Sequence, residues 1–218
     1  TRVEDAALRG RLWRSSGAVG DATVVYEAAT PGGSITVPVA VGNRLVFTVE
    51  TPTGVGTKTV ELWASDGTAN STVLLAANIA SGAGAMLAAG SQLFFTRTDD
   101  ATGAEPWVTD GTAAGTRMIQ DLAVGAAGSA PLWMGNAGSI SIFLVPDENG
   151  DAVMWRTNGT SAETRNVAHF DAVGFTLSIA ADPNPYAASA SRFGLELAAP
   201  LFAANHLFFV GRSPTEGI

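Results

Sequence analysis

The chain has 218 residues, a length that fits one large all-β domain or two small ones. Hydrophobic residues make up 46% and charged residues 15%, with 25 glycines, which excludes a disordered chain and describes a core-forming, turn-rich one. A formal charge of −8, a single lysine (Lys58) and no basic run argue against a nucleic-acid or anionic-membrane surface, and the absence of cysteine excludes thiolate chemistry, Cys-based zinc sites and disulfides.

Two markers alternate along the chain. A tryptophan marker occurs as "RLWRSSGAVGDATVV" at 11–25, "ELWASDGTANSTVLL" at 61–75, "EPWVTDGTAAGTRMI" at 105–119 and "VMWRTNGTSAETRNV" at 153–167, so Trp13, Trp63, Trp107 and Trp155 share one repeat position. A phenylalanine marker occurs as "GNRLVFTV" at 42–49, "GSQLFFTR" at 90–97, "GSISIFLV" at 138–145 and "ANHLFFVG" at 204–211. Phe47, Phe95 and Phe143 recur every 48 residues, and Phe209 follows after 66, which marks an insertion of about 18 residues in the last interval.

Each unit reads as four short strands. In the second these run roughly 35–41, 44–50, 59–65 and 71–76, separated by Gly-Asn, a variable loop near 51–58, and Ser-Asp-Gly-Thr. Asp or Asn is expected to bond nearby backbone amides, Gly to take positive φ, and Thr to begin the next strand. In "LFF" at 93–95, Leu93 and Phe95 face one side and Phe94 the other, so the strand must be covered on both faces. The expected fold is a β-propeller of four four-stranded blades in a single domain over 1–218, closed by pairing of N- and C-terminal strands. The units are 33–79, 83–122, 128–170 and a composite of 188–218 with 1–28, with an insertion at 171–203. A fragment of a longer propeller and an open stack of β-sheets are the alternatives. The start at Thr1 without methionine fits a processed product or a piece of a longer chain.

The units resemble the ELWxxDGT repeat of bacterial surface and secreted proteins. "ELWASDGT" at 61–68 and "EPWVTDGTAAGT" at 105–116 match closely, "VMWRTNGT" carries Asn158 for Asp, and "RLWRSSGA" keeps only Leu12, Trp13 and Gly17. The resemblance covers nearly all of the chain except 171–203. It implies an exported bacterial protein of propeller-like fold, at the cell surface, in the periplasm or outside the cell, and implies no particular reaction.

Candidate chemistry is sparse. His169 and His206 fall at positions where other units carry Asp121 and Glu27, or Gln92 and Arg44, and read as ordinary polar strand positions. Asp66 and Asp110 each bring one carboxylate to a turn, too few for calcium. Asp147, Asn149 and Asp151 alternate like the start of a calcium loop, but no acidic residue follows to complete it, so a polar hairpin is favoured. No metal or cofactor is therefore expected; Ca2+ is the one weighed and is not favoured. The tryptophans are expected as contacts between sheets, and Trp133, outside the repeat position, has the best claim to a separate role.

Second turns and inter-unit connections share one end of such a meander and vary in sequence, which makes that end the place for binding chemistry. Asp99, Asp100, Asp147, Asp151, Asp182, Asn184, Tyr186 and Arg192 fall there, and the apolar parts of 171–203 read equally well as a plug. The expected function is a non-catalytic binding module for a glycan or an envelope protein. The alternatives are a structural subunit of a larger assembly and a hydrolase or lyase with carboxylates at the propeller funnel. No nucleic-acid partner and no membrane span are expected, and the oligomeric state is left open.

Overall fold

The computed structural model describes residues 8–36, 38–82, 84–149, 151–170, 201–203 and 206–208. These residues form β-strands joined by turns and two 3-10 turns, with no α-helix among them and so no helix long and apolar enough to cross a membrane. The chain divides into two compact units. The first comprises Thr1–Ile79, Gly90–Gln92 and Thr109–Thr116, the second Ala80–Ala89, Leu93–Val108 and Arg117–Ile218.

In the first unit β1 (Arg11–Arg14) pairs with β2 (Thr23–Glu27) as a two-stranded ribbon. A larger sheet follows. Its central strand β5 (Arg44–Gly54) pairs on one side with β6 (Thr57–Ser65), which pairs in turn with β7 (Val73–Ala77). The other side of β5 is met by β3 (Ser34–Ile35) and β4 (Val39–Val41), so the expected first strand is split. Pro38 lies in the gap, where a residue without N–H cannot donate to the ladder. Val46, Phe47, Thr48 and Val49 are all buried, as a strand covered on both faces requires. Phe47, Val49 and Ala28 form the core with Leu12, Tyr26, Ile35 and Trp63 around them. Trp63 stands opposite Phe47 in register, and the Tyr26 ring from β2 packs 4.9 Å from Trp63 and 5.5 Å from Phe47.

The next two sheets are four-stranded antiparallel meanders. One runs β8 (Met86–Ala89), β9 (Gln92–Asp99), β10 (Gly103–Thr109), β11 (Arg117–Met118); the other runs β12 (Leu132–Ala137), β13 (Ile140–Pro146), β14 (Ala152–Thr157), β15 (Arg165–Phe170). In the second unit they pack through Phe94, Val108, Ile119, Trp133, Phe143 and Val145. Trp133 is 4% exposed and sits between Phe94 and Phe143, with ring centroids 5.1 and 4.7 Å away, so its place outside the repeat position is a core place. Each such aromatic contributes about 2–3 kcal/mol by burial. The sheets are also tied by Asn136 Nδ2 donating to Ala88 O at 2.9 Å and Thr96 Oγ1 donating to Pro131 O at 3.0 Å.

The first turns of the three sheets share one conformation, with Gly42, Gly90 and Gly138 at φ of 59°, 59° and 63°, the left-handed region where glycine carries no Cβ penalty. Closure of a ring is not found among the described residues. β16 (Leu201–Ala203) pairs with β17 (His206–Phe208) in a two-stranded sheet, as β1 does with β2. The repeat tryptophans differ accordingly. Trp63, Trp107 and Trp155 are partly buried beside Phe47, Phe95 and Phe143, whereas Trp13 is 55% exposed, and among the described residues β1 pairs only with β2.

Candidate functional site

The Asp-Gly-Thr turns are closed systems of hydrogen bonds. Asp66 Oδ1 accepts from the Thr68 amide at 3.0 Å and its hydroxyl at 2.9 Å, Asp110 Oδ1 from the Thr112 amide and hydroxyl at 2.9 and 2.6 Å, and Asn158 Oδ1 from the Thr160 amide and hydroxyl at 3.0 and 2.7 Å. Just before each turn a hydroxyl, of Ser65, Thr109 or Thr157, accepts the glycine amide of Gly67, Gly111 or Gly159. It also meets the hydroxyl of Thr72, Thr116 or Thr164, which donates to the carbonyl of the first threonine. That first threonine does not begin the next strand, contrary to expectation. A further turn of backbone, 3-10 at Ala69–Ser71 and Ser161–Glu163, intervenes so that the second threonine can close the hydroxyl pair.

In the first copy the acid has moved. Ser16 holds the Asp66 position and Asp21 the Ser71 position, and the Ser16 hydroxyl donates to Asp21 as the Ser71 hydroxyl donates to Asp66. Ser15 donates to Asp21 Oδ1 at 2.5 Å, and the Ser15 and Ser16 hydroxyls bring the Asp21 carboxyl down to about 2. Hydrogen bonds from the Ser71 hydroxyl and then Thr68 likewise lower Asp66, and the Thr112 hydroxyl lowers Asp110.

The second turns are built differently from one another. In the first unit the β5–β6 hairpin lines an open cleft of about 310 Å3, with Ser34, Glu50, Pro52 and Lys58 on its walls and the Lys58 ammonium 2.7 Å from Glu50. In the β9–β10 turn Asp99 Oδ1 accepts the amides of Ala101 and Thr102 at 3.0 and 2.9 Å, and Asp100 is exposed. The Thr102 amide and hydroxyl hold the Asp99 carboxyl below its ordinary value.

In the β13–β14 turn Asp147 Oδ1 accepts the amides of Asn149 and Asp151 at 2.8 and 2.9 Å. Its other oxygen faces an imidazole: His169 Nε2, on β15, lies 3.0 Å from Asp147 Oδ2 and 3.9 Å from Asp151 Oδ2. Burial pushes the Asp147 carboxyl up, but the hydrogen bonds from His169 and from the Asp151 and Asn149 amides outweigh it and leave it lowered. The third group beside the two aspartates thus comes from a neighbouring strand, by the Val153↔His169 register. Reading the turn forward along the sequence for a later acid misses it.

Of the expected binding residues, Asp147 and Asp151 are brought together, and Asp99 and Asp100 occupy a hairpin of the preceding sheet. Asp182, Asn184, Tyr186 and Arg192 lie outside the described residues. Sequence reasoning passed over Glu105 as well. It is 0% exposed and accepts four hydrogen bonds, from Leu122 N (3.0 Å), Ala123 N (3.2 Å), Ser129 N (2.8 Å) and Ser129 Oγ (2.6 Å), so it fastens the chain after β11 to β10. Comparison with protein-family models and with curated proteins finds no match for the chain.

Proposed function

We propose that the chain is a non-catalytic binding module of an exported bacterial protein, a four-bladed β-propeller that engages a glycan or an envelope protein through its variable turns. The observation that carries this reading is the contrast between the two kinds of turn. In each Asp-Gly-Thr or Asn-Gly-Thr turn Oδ1 accepts hydrogen bonds from the turn itself, and these turns are alike from sheet to sheet. The second turns differ in chemistry, expose Asp100 and Glu148, and include the cleft beside Lys58. A regular scaffold with irregular loops is how binding sites are commonly carried. The resemblance of "ELWASDGT" and "EPWVTDGTAAGT" to the exported repeat supports the location.

The test is a glycan array and an envelope-protein overlay probed with the wild-type chain and with Asp99, Asp100, Asp147 and Asp151 all changed to Asn. Binding lost in the variant, at an unchanged circular-dichroism spectrum, is the expected result. Binding that the variant retains, or turnover of an arrayed glycan, overturns it. The ring is tested by acrylamide quenching of the fluorescence component that Trp13→Phe removes. In a closed propeller that component is protected, and deletion of 204–218 exposes it.

A further inference from the structure

We propose that Asp147, Asp151 and His169 bind a divalent transition-metal cation of the Zn2+ class. The groups come from three places, the end of β13, the residue before β14, and β15, and the antiparallel register gathers them at one edge of the sheet. One ligand atom from each lies within 4.8 Å of the other two. Atoms bound at about 2.1 Å to one ion stand about 3.0 Å apart at a right angle and about 3.4 Å apart in a tetrahedron. The observed 3.0 Å between His169 Nε2 and Asp147 Oδ2 meets that spacing, while Asp151 Oδ2, 3.9 Å from the imidazole nitrogen, must move closer to ligate.

The donor set selects the metal. One imidazole nitrogen with two carboxylates suits Zn2+, Co2+ or Ni2+, whereas Ca2+ takes six to eight oxygens and gains nothing from an imidazole. Asp147 is already oriented for this role. Its Oδ1 is held by two backbone amides, which turns Oδ2 toward the imidazole, as outer hydrogen bonds orient ligands in metal sites. His169 is half-exposed, so an ion can reach it.

The repeats provide an internal control on whether the fold needs these groups. The positions matching Asp147, Asp151 and His169 hold Asp99, Gly103 and Asp121 in the preceding sheet. Asp99 caps its turn through Oδ1 as Asp147 does, and its Oδ2 meets Arg97 at 3.6 Å. In the first unit's sheet the His169 position is Ala77. The preceding sheet thus closes the same hairpin on one aspartate, with Gly103 and Asp121 in the places of Asp151 and His169. This site stands whether or not the chain binds a glycan or an envelope protein.

The experiment is calorimetric titration of the chelator-treated full chain with Zn2+, with Co2+ absorption as a second readout of nitrogen and oxygen ligation. One saturable site is expected, weakened at least about tenfold by His169→Ala and by Asp151→Asn, unchanged by His206→Gln, and not displaced by a hundredfold excess of Ca2+. Circular dichroism of the variants separates lost ligands from lost fold. The proposal is overturned if no saturable binding occurs, if folded His169→Ala binds within about threefold of wild type, or if Ca2+ displaces the metal.

Discussion

Glu105 and Glu61 occupy the same repeat position, and the structure gives them unequal work. Glu61 is partly buried and accepts one hydrogen bond, from Trp63 Nε1 at 3.0 Å, which a glutamine carbonyl can also accept. Glu105 is fully buried and receives two donors on each oxygen. In Glu105→Gln the amide NH2 must face one of these pairs. Facing Ala123 and Ser129 it meets two N–H groups; facing Leu122 and the Ser129 hydroxyl it meets one, because the hydroxyl can turn to accept. The better choice still orphans the Leu122 amide, at about 1–3 kcal/mol, and converts the remaining charge-assisted bonds into neutral ones. The expected loss is about 3 kcal/mol, or roughly 6–12 °C in melting temperature for a chain of this size. Glu61→Gln is expected to cost under about 0.5 kcal/mol. Urea unfolding at pH 7, followed by tryptophan fluorescence, measures both. A difference of less than about 1 kcal/mol between the two variants would refute the assignment of Glu105 as a buried staple.

Three further outcomes follow from the turns. Asp21, Asp66, Asp99 and Asp110 have lowered folded-state pKa values, so the stability they bring is present above the ordinary 3.8 and lost as pH falls toward the folded values, about 2 for Asp21. The urea midpoint should hold from pH 7 to about 5 and fall between about 4 and 2, less steeply in Asp21→Asn; a midpoint flat across that range contradicts this. Ser16→Asp and Asp21→Ser should each lower the melting temperature while the double variant recovers most of the loss, and strictly additive losses would show that the two positions are not exchanging one function. Gly103→Ala should cost about 3 kcal/mol or more, since φ is +68° and a Cβ would lie 2.4 Å from the Gly128 nitrogen, whereas Gly56→Ala, at φ +73° with open space, should cost about 1 kcal/mol. Equal costs in denaturant titrations would show that φ alone, and not the Gly128 contact, governs Gly103.

Local features were legible in the sequence. Period-2 strands with apolar residues on both faces, Gly-led first turns and Asp-Gly-Thr third turns each depend on a few adjacent residues, and they appear in the structure where the repeat puts them. What depended on partners across strands was not legible. His169 occupies an unremarkable polar position until the β14–β15 register sets it beside Asp147 and Asp151. Glu105 has the same repeat position as Glu61 and differs in the segment folded onto it. Trp13 carries the same marker as Trp63, yet a tryptophan is covered only if a neighbouring strand is there, and among the described residues β1 pairs with β2 alone.

The exchange between Asp66/Ser71 and Ser16/Asp21 bears on how such repeats are counted. In these two copies a carboxylate and a hydroxyl stand five residues apart, the hydroxyl donates to the carboxylate, and the amide of the earlier residue donates to the side chain of the later one, whichever site holds the acid. A pattern fixed on Asp-Gly-Thr scores the first copy as a failed repeat, although its hydroxyl and carboxylate make the same mutual hydrogen bond. Patterns written for the pair as a unit would recover diverged copies of this kind.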